Sequence, residues 1–117
     1  MNRILAFAAA SAMVLSASSA LAHARLVSAT PGSGATVTAP RTISLTFSER
    51  FAAPFSTVEV EDSRGRAISL AKAVSEDGKT LGGSFAAPLT VGVYRVTWAI
   101  AAADGHRMTG TYSFTVR

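Results

Sequence analysis

Val93-Tyr94-Arg95-Val96-Thr97-Trp98-Ala99-Ile100 is the stretch on which the fold turns. Tyr94, Val96, Trp98 and Ile100 fall at every second position, and Val93, Arg95, Thr97 and Ala99 lie between them. Successive side chains of a β-strand point to opposite faces, so this period gives one face to a core and one to solvent. The pattern recurs downstream, where Tyr112, Phe114 and Val116 alternate with Thr111, Ser113 and Thr115. Upstream, within Arg41 to Phe47, Ile43, Leu45 and Phe47 alternate with Thr42, Ser44 and Thr46. Shorter runs do the same: Val58 and Val60 among Thr57, Glu59 and Glu61, and Ile68 and Leu70 about Ser69. Val27 is assigned to a first strand.

Turn chemistry separates the runs. Pro31-Gly32-Ser33-Gly34, Ala39-Pro40, Asp62-Ser63-Arg64-Gly65, Glu76-Asp77-Gly78-Lys79 and Pro88-Leu89-Thr90-Val91-Gly92 are loop clusters, and Asp-Gly is a strong hairpin signal. After residue 22 no segment carries a capped 3.6-residue period, and Ala101 to Ala103 is too short to nucleate a helix. Six to eight short strands predict an all-β, antiparallel Greek-key sandwich or barrel of immunoglobulin-like type. Trp98, Tyr94, Phe47, Tyr112 and Phe114 are its expected largest core members. Tyr94, shortly after Gly92 at a strand start, fits a tyrosine corner.

The first segment reads as an address. Arg3 precedes an almost wholly apolar run from Ile4 to Leu15, too short for the ~20 residues of a spanning helix. Ala20-Leu21-Ala22 is a small-x-small cleavage pattern, so residues 1–22 are expected to be a secretory signal peptide and 23–117 one mature domain. Cleavage after Ala22 makes His23 the first residue; Ala22-His23-Ala24 is a second small-x-small triplet, and cleavage after Ala24 would remove it. The chain has 117 residues, a formal charge of +4 and no Cys. The missing thiols exclude disulfides, zinc-thiolate and iron–sulfur sites, a thiol nucleophile and a lipid-anchored cysteine. The arginines are scattered, so the basic balance is read as a solvated surface, with no nucleic-acid partner.

There are two histidines, His23 and His106. An N-terminal His offers its α-amino nitrogen and ring Nδ1 to one metal, closing a chelate ring. Copper(II) favours tetragonal N/O surroundings. His23, His106 and an Asp104 oxygen make a three-nitrogen, one-oxygen set. In extended backbone Asp104 and His106 would point the same way, and Gly105 between them leaves room for approach. Each residue alone has a plainer reading: His23 a frayed terminus, His106 a loop residue bonded to a carbonyl, Asp104-Gly105 an ordinary turn. The conjunction of export, a His at the cleavage point and Asp-x-His leading into a strand favours the metal.

The mature chain resembles the CopC/PcoC copper-resistance proteins of the bacterial periplasm over nearly all of 23–117. The residues that carry the likeness are His23 to Pro31, Ile43 to Glu49, Pro88 to Trp98, Asp104-Gly105-His106 and Thr109 to Phe114. The resemblance implies a Greek-key β fold binding copper(II) through the amine and ring of His23, the Asp104 carboxylate and the His106 ring. It places Glu49 near the metal in some members, although a surface carboxylate fits that position equally well. It also implies an inner-membrane partner of the CopD type. Some members add a methionine-rich copper(I) loop. Here Met108 is the only methionine after the leader, and one thioether does not build a soft-ion site. The expectation is a monomeric periplasmic protein with a single copper(II) site, not an enzyme.

Two other readings compete. Copper oxygenases that attack polysaccharides also use an N-terminal His with a second His, but the chain is short for one and lacks a flat aromatic face. A metal-free structural sandwich is the other. A hydrolytic triad is poorly supported, because no serine lies in a G-x-S-x-G elbow.

Overall fold

The computed structural model describes residues 24–117. Eight strands follow one another: β1 (Leu26–Thr30), β2 (Thr36–Val37), β3 (Thr42–Phe47), β4 (Thr57–Glu61), β5 (Leu70–Val74), β6 (Thr80–Phe85), β7 (Gly92–Ala101) and β8 (Arg107–Val116). A 3₁₀ turn, Ala53–Phe55, precedes β4. The strands form two four-stranded sheets, ordered β1-β3-β6-β5 and β2-β8-β7-β4. The chain stays within one sheet only from β5 to β6 and from β7 to β8 and crosses at every other connection, giving the two-layered β-sandwich that the alternation predicts. All strand pairs are antiparallel except β2 with β8. That parallel pair covers only Thr36–Val37 against Thr115–Val116 and departs from the wholly antiparallel expectation.

The opening stretch behaves as its period requires. β7 buries Tyr94, Val96, Trp98 and Ile100 and exposes Val93, Arg95 and Thr97. It pairs with β8 from Gly92↔Val116 to Ala101↔Arg107, and with β4 from Thr57↔Ala99 to Glu61↔Arg95. In the facing sheet Ile43, Leu45, Phe47 and Leu81 close the core. Each fully buried side chain of this size contributes about 2–3 kcal/mol, an upper estimate. Phe47 meets the Trp98 indole edge-on at 5.0 Å, and Tyr94 stacks on Phe114 at 5.5 Å. Of the five expected core aromatics, Tyr112 is only half-buried. Its hydroxyl donates to the Pro31 carbonyl at 2.9 Å, and burial pushes its phenol up to about 12. The tyrosine corner is present: the Tyr94 hydroxyl donates to the Thr90 carbonyl four residues upstream at 2.7 Å.

Two segments depart from the sequence reading. The strand expected about Ile68–Leu70 runs instead over Leu70–Val74, and the Ile68 amide donates to Val60 at 2.8 Å. β6 (Thr-Leu-Gly-Gly-Ser-Phe) carries no alternation because two of its six positions are glycines. A Cβ on Gly82 would lie 2.0 Å from the Ile43 carbonyl oxygen, and one on Gly83 2.3 Å from that of Ala71. The middle of this sheet closes only without side chains there.

Candidate metal centre

One end of the sandwich gathers every described feature that bears on chemistry. β7 ends at Ala101, and the chain returns as β8 at Arg107. The Ala102 amide donates to the His106 carbonyl at 2.9 Å, and the Gly105 amide to the Ala102 carbonyl at 3.0 Å. Gly105 has φ +87°. Ala103, Asp104 and Gly105 thus form a three-residue hairpin loop whose last position requires the left-handed region, hence glycine.

The loop brings Asp104 and His106 into direct contact. One Asp104 oxygen accepts the His106 backbone amide at 3.0 Å. The other lies 2.9 Å from His106 Nδ1. The pair converges, as expected, but through turn geometry rather than through an extended i, i+2 arrangement. The contact has chemical content. With the carboxylate at Nδ1, the proton is held on that nitrogen, and Nε2 carries the lone pair that a metal would take. The imidazole is about two-thirds exposed and the carboxylate one-third, so the pair stands at the surface where an incoming ion can reach it.

The described chain enters at the same end. Ala24 is fully buried in the core. The Arg25 amide donates to Ser48 Oγ at 3.0 Å and its carbonyl accepts the Ser48 amide at 2.9 Å. Leu26 then pairs with Phe47. Three residues past Ser48, Phe51 bridges to Ala102, and the Ala52 amide donates to the Ala101 carbonyl at 2.8 Å. A short hydrogen-bonded path therefore joins the start of β1 to the base of the Asp104–His106 loop. His23 and the expected leader, residues 1–22, lie outside the described residues.

The donor set suits a borderline-hard ion. Asp104 and His106 supply oxygen and nitrogen, which fit copper(II). Among the described residues no group of three His, Cys, Asp or Glu side chains comes together to hold a metal, so these two form only part of a coordination sphere. Glu49 is exposed in the segment after β3, at this same end of the molecule. Met108 lies on β8 opposite Ile100 and packs, partly buried, against the core.

Comparison with known proteins agrees with this architecture. Residues 26–117 match the family model of the CopC domain. Copper resistance protein C of Xanthomonas campestris pv. juglandis is 36% identical over 110 residues, which cover 88% of this chain and 87% of that protein. The crystal structure of PcoC, a methionine-rich copper resistance protein from Escherichia coli, matches with a TM-score of 0.75 at 33% identity, covering 82% of this chain and 100% of that one. The crystal structure of CopC from Methylosinus trichosporium OB3b matches with a TM-score of 0.74 at 29% identity, covering 80% and 93%. With the sandwich, the two-sheet order and a family match that runs from the first strand to the last residue, this chain belongs to the CopC family.

Proposed function

We propose that this protein binds copper(II) in the periplasm and buffers or delivers it, through a site built from the amine and ring of His23, the Asp104 carboxylate and the His106 ring. One observation carries the reading: Asp104 and His106 meet at 2.9 Å on an exposed loop at the end of the sandwich where the described chain begins. An exported chain cut after Ala22 would present the residue before Ala24 as an N-terminal histidine. Relatives named for copper resistance support copper as the cargo. The protein acts by holding and releasing the ion, not by catalysis. A membrane partner of the CopD type would receive or supply it.

The donors also set the oxidation state. The site has no thiolate, and Met108 is packed against the core. Copper(I) should therefore bind more weakly than copper(II). Asp104 can serve in either of two ways: as a ligand through a carboxylate oxygen, or as the group that orients the ligating Nε2 of His106 by holding its Nδ1 proton.

Mass spectrometry of the exported protein joined to a copper(II) titration tests the proposal. The expected result is His23 as first residue, one copper per chain and a d–d absorption band. His106→Ala should lose at least tenfold in affinity with its β-sheet circular dichroism unchanged. An added residue before His23 should weaken binding comparably, because it removes the amine from the chelate. A mature chain beginning at Arg25, or affinity untouched by either change, would defeat the assignment.

A further inference from the structure

Ser56 is the one fully buried polar residue among the described positions, and nothing in the copper chemistry above uses it. It follows the 3₁₀ turn and immediately precedes β4. Its hydroxyl donates to the Ala52 carbonyl at 2.8 Å and accepts the Ala101 amide at 3.1 Å. The second bond is the informative one. The β4–β7 ladder stops at Thr57↔Ala99, because the preceding chain curls into the 3₁₀ turn and rejoins the end of β7 only at the Phe51–Ala102 bridge. The Ser56 side chain fills the gap, taking the Ala101 amide that a continuous strand would have taken. The Ala101 carbonyl is meanwhile bonded by the Ala52 amide at 2.8 Å. Both Ala101 peptide groups are thus held by residues 52–56, three positions before Asp104. From the opposite sheet, the Lys72 ammonium donates to the Ala53 carbonyl at 2.7 Å and to that of Ser56, tying the turn across the sandwich.

We infer that Ser56 is a positioning residue for the metal loop: its buried hydroxyl fixes the end of β7 and so sets where Asp104 and His106 stand. As far as it concerns copper, this deepens the proposed function and rests on it. A hydroxyl at this point does what a packing residue does not. Removing it strips an acceptor from the Ala101 amide and a donor from the Ala52 carbonyl in a buried place, and the loosened strand end carries Asp104 and His106.

The experiment compares wild type, Ser56→Ala, Ser56→Thr, which restores the hydroxyl, and Val60→Ala, a core truncation on β4 far from the loop. In the metal-free proteins, amide exchange at Ala101, Gly105 and His106 should quicken at least tenfold in Ser56→Ala, relative to Val60→Ala at matched stability, and slow again in Ser56→Thr. With copper(II), Ser56→Ala should bind about tenfold more weakly and show altered hyperfine splitting in electron paramagnetic resonance, while Val60→Ala keeps the wild-type spectrum. Exchange in Ser56→Ala no faster than in Val60→Ala would overturn the inference. So would wild-type affinity and spectrum in Ser56→Ala. Failure of wild type itself to bind copper would instead strike the proposed function, and the metal-free exchange comparison would still decide whether Ser56 positions the loop.

Discussion

Gly110 shows how closely single residues are specified. It stands opposite Trp98 in the β7–β8 register, and the indole lies across it. A Cβ there would fall 2.3 Å from Trp98 Cζ2 and 2.5 Å from Cε2. Gly110→Ala should force the ring out of its edge contact with Phe47 and cost about 1–3 kcal/mol. The urea midpoint and the tryptophan emission maximum would report it together: a lowered midpoint with shifted emission is expected. At this scale the sequence was legible in part. Asp104 and His106 could be singled out, because so few metal-binding side chains exist. Their convergence was expected, but by an extended i, i+2 arrangement; the structure reaches it through the turn that Asp-Gly marks on its plainer reading. Ser56 carried no signal at all: a lone serine between Phe55 and Thr57 looks like any strand-edge polar residue, and its role depends on Ala101, 45 positions away.

Elements were legible where core-facing residues alternate. β3, β4, β7 and β8 each carry a period of two and form close to where it indicates. β6 was not, because glycine replaces the side chains that would mark its faces, for the steric reason that Ile43 and Ala71 impose. β5 was displaced because the edge strand Leu70–Val74 exposes its three central residues. Turns between elements rest on aspartates, and these make stability depend on acid. The Arg66 backbone amide, with help from that of Arg64, holds the Asp62 carboxyl below its usual value. The Ser75 hydroxyl and the Lys79 amide do the same for Asp77. A folded value lowered from 3.8 means that both carboxylates stabilise the fold above about pH 3.8 and lose that contribution as pH falls through their folded values. Asp77 is exposed and Asp62 lies partly covered at the surface, and their individual effects are small. In thermal melts from pH 5 to pH 2, the double variant Asp62→Ala/Asp77→Ala should lose less melting temperature than wild type. Parallel curves would show that these turns do not titrate with folding.

At the scale of the whole molecule, the two ends of the sandwich divide the work. The tyrosine corner, Thr90 to Tyr94, secures one end, and the Asp104–His106 loop stands at the other, with β7 running between them. Copper bound at the proposed site should raise the melting temperature by mass action, with the gain growing as the logarithm of free copper. Protons compete with the metal for imidazole and amine. Because these nitrogens must lose protons before they bind the ion, the stabilisation should be larger at pH 7.5 than at pH 5. Calorimetry at fixed free copper checks this, and an equal gain at both values would argue against nitrogen donors. The tether between Arg25–Ser48 and Ala101–Ala102 has one more consequence. On the proposed ligand set, the ion would join the first mature residue to a hairpin near the last strand, enclosing almost the whole domain in one covalent-coordinate ring. In a polypeptide without a single cysteine, the cargo would then double as the cross-link, a clasp that opens whenever the ion leaves.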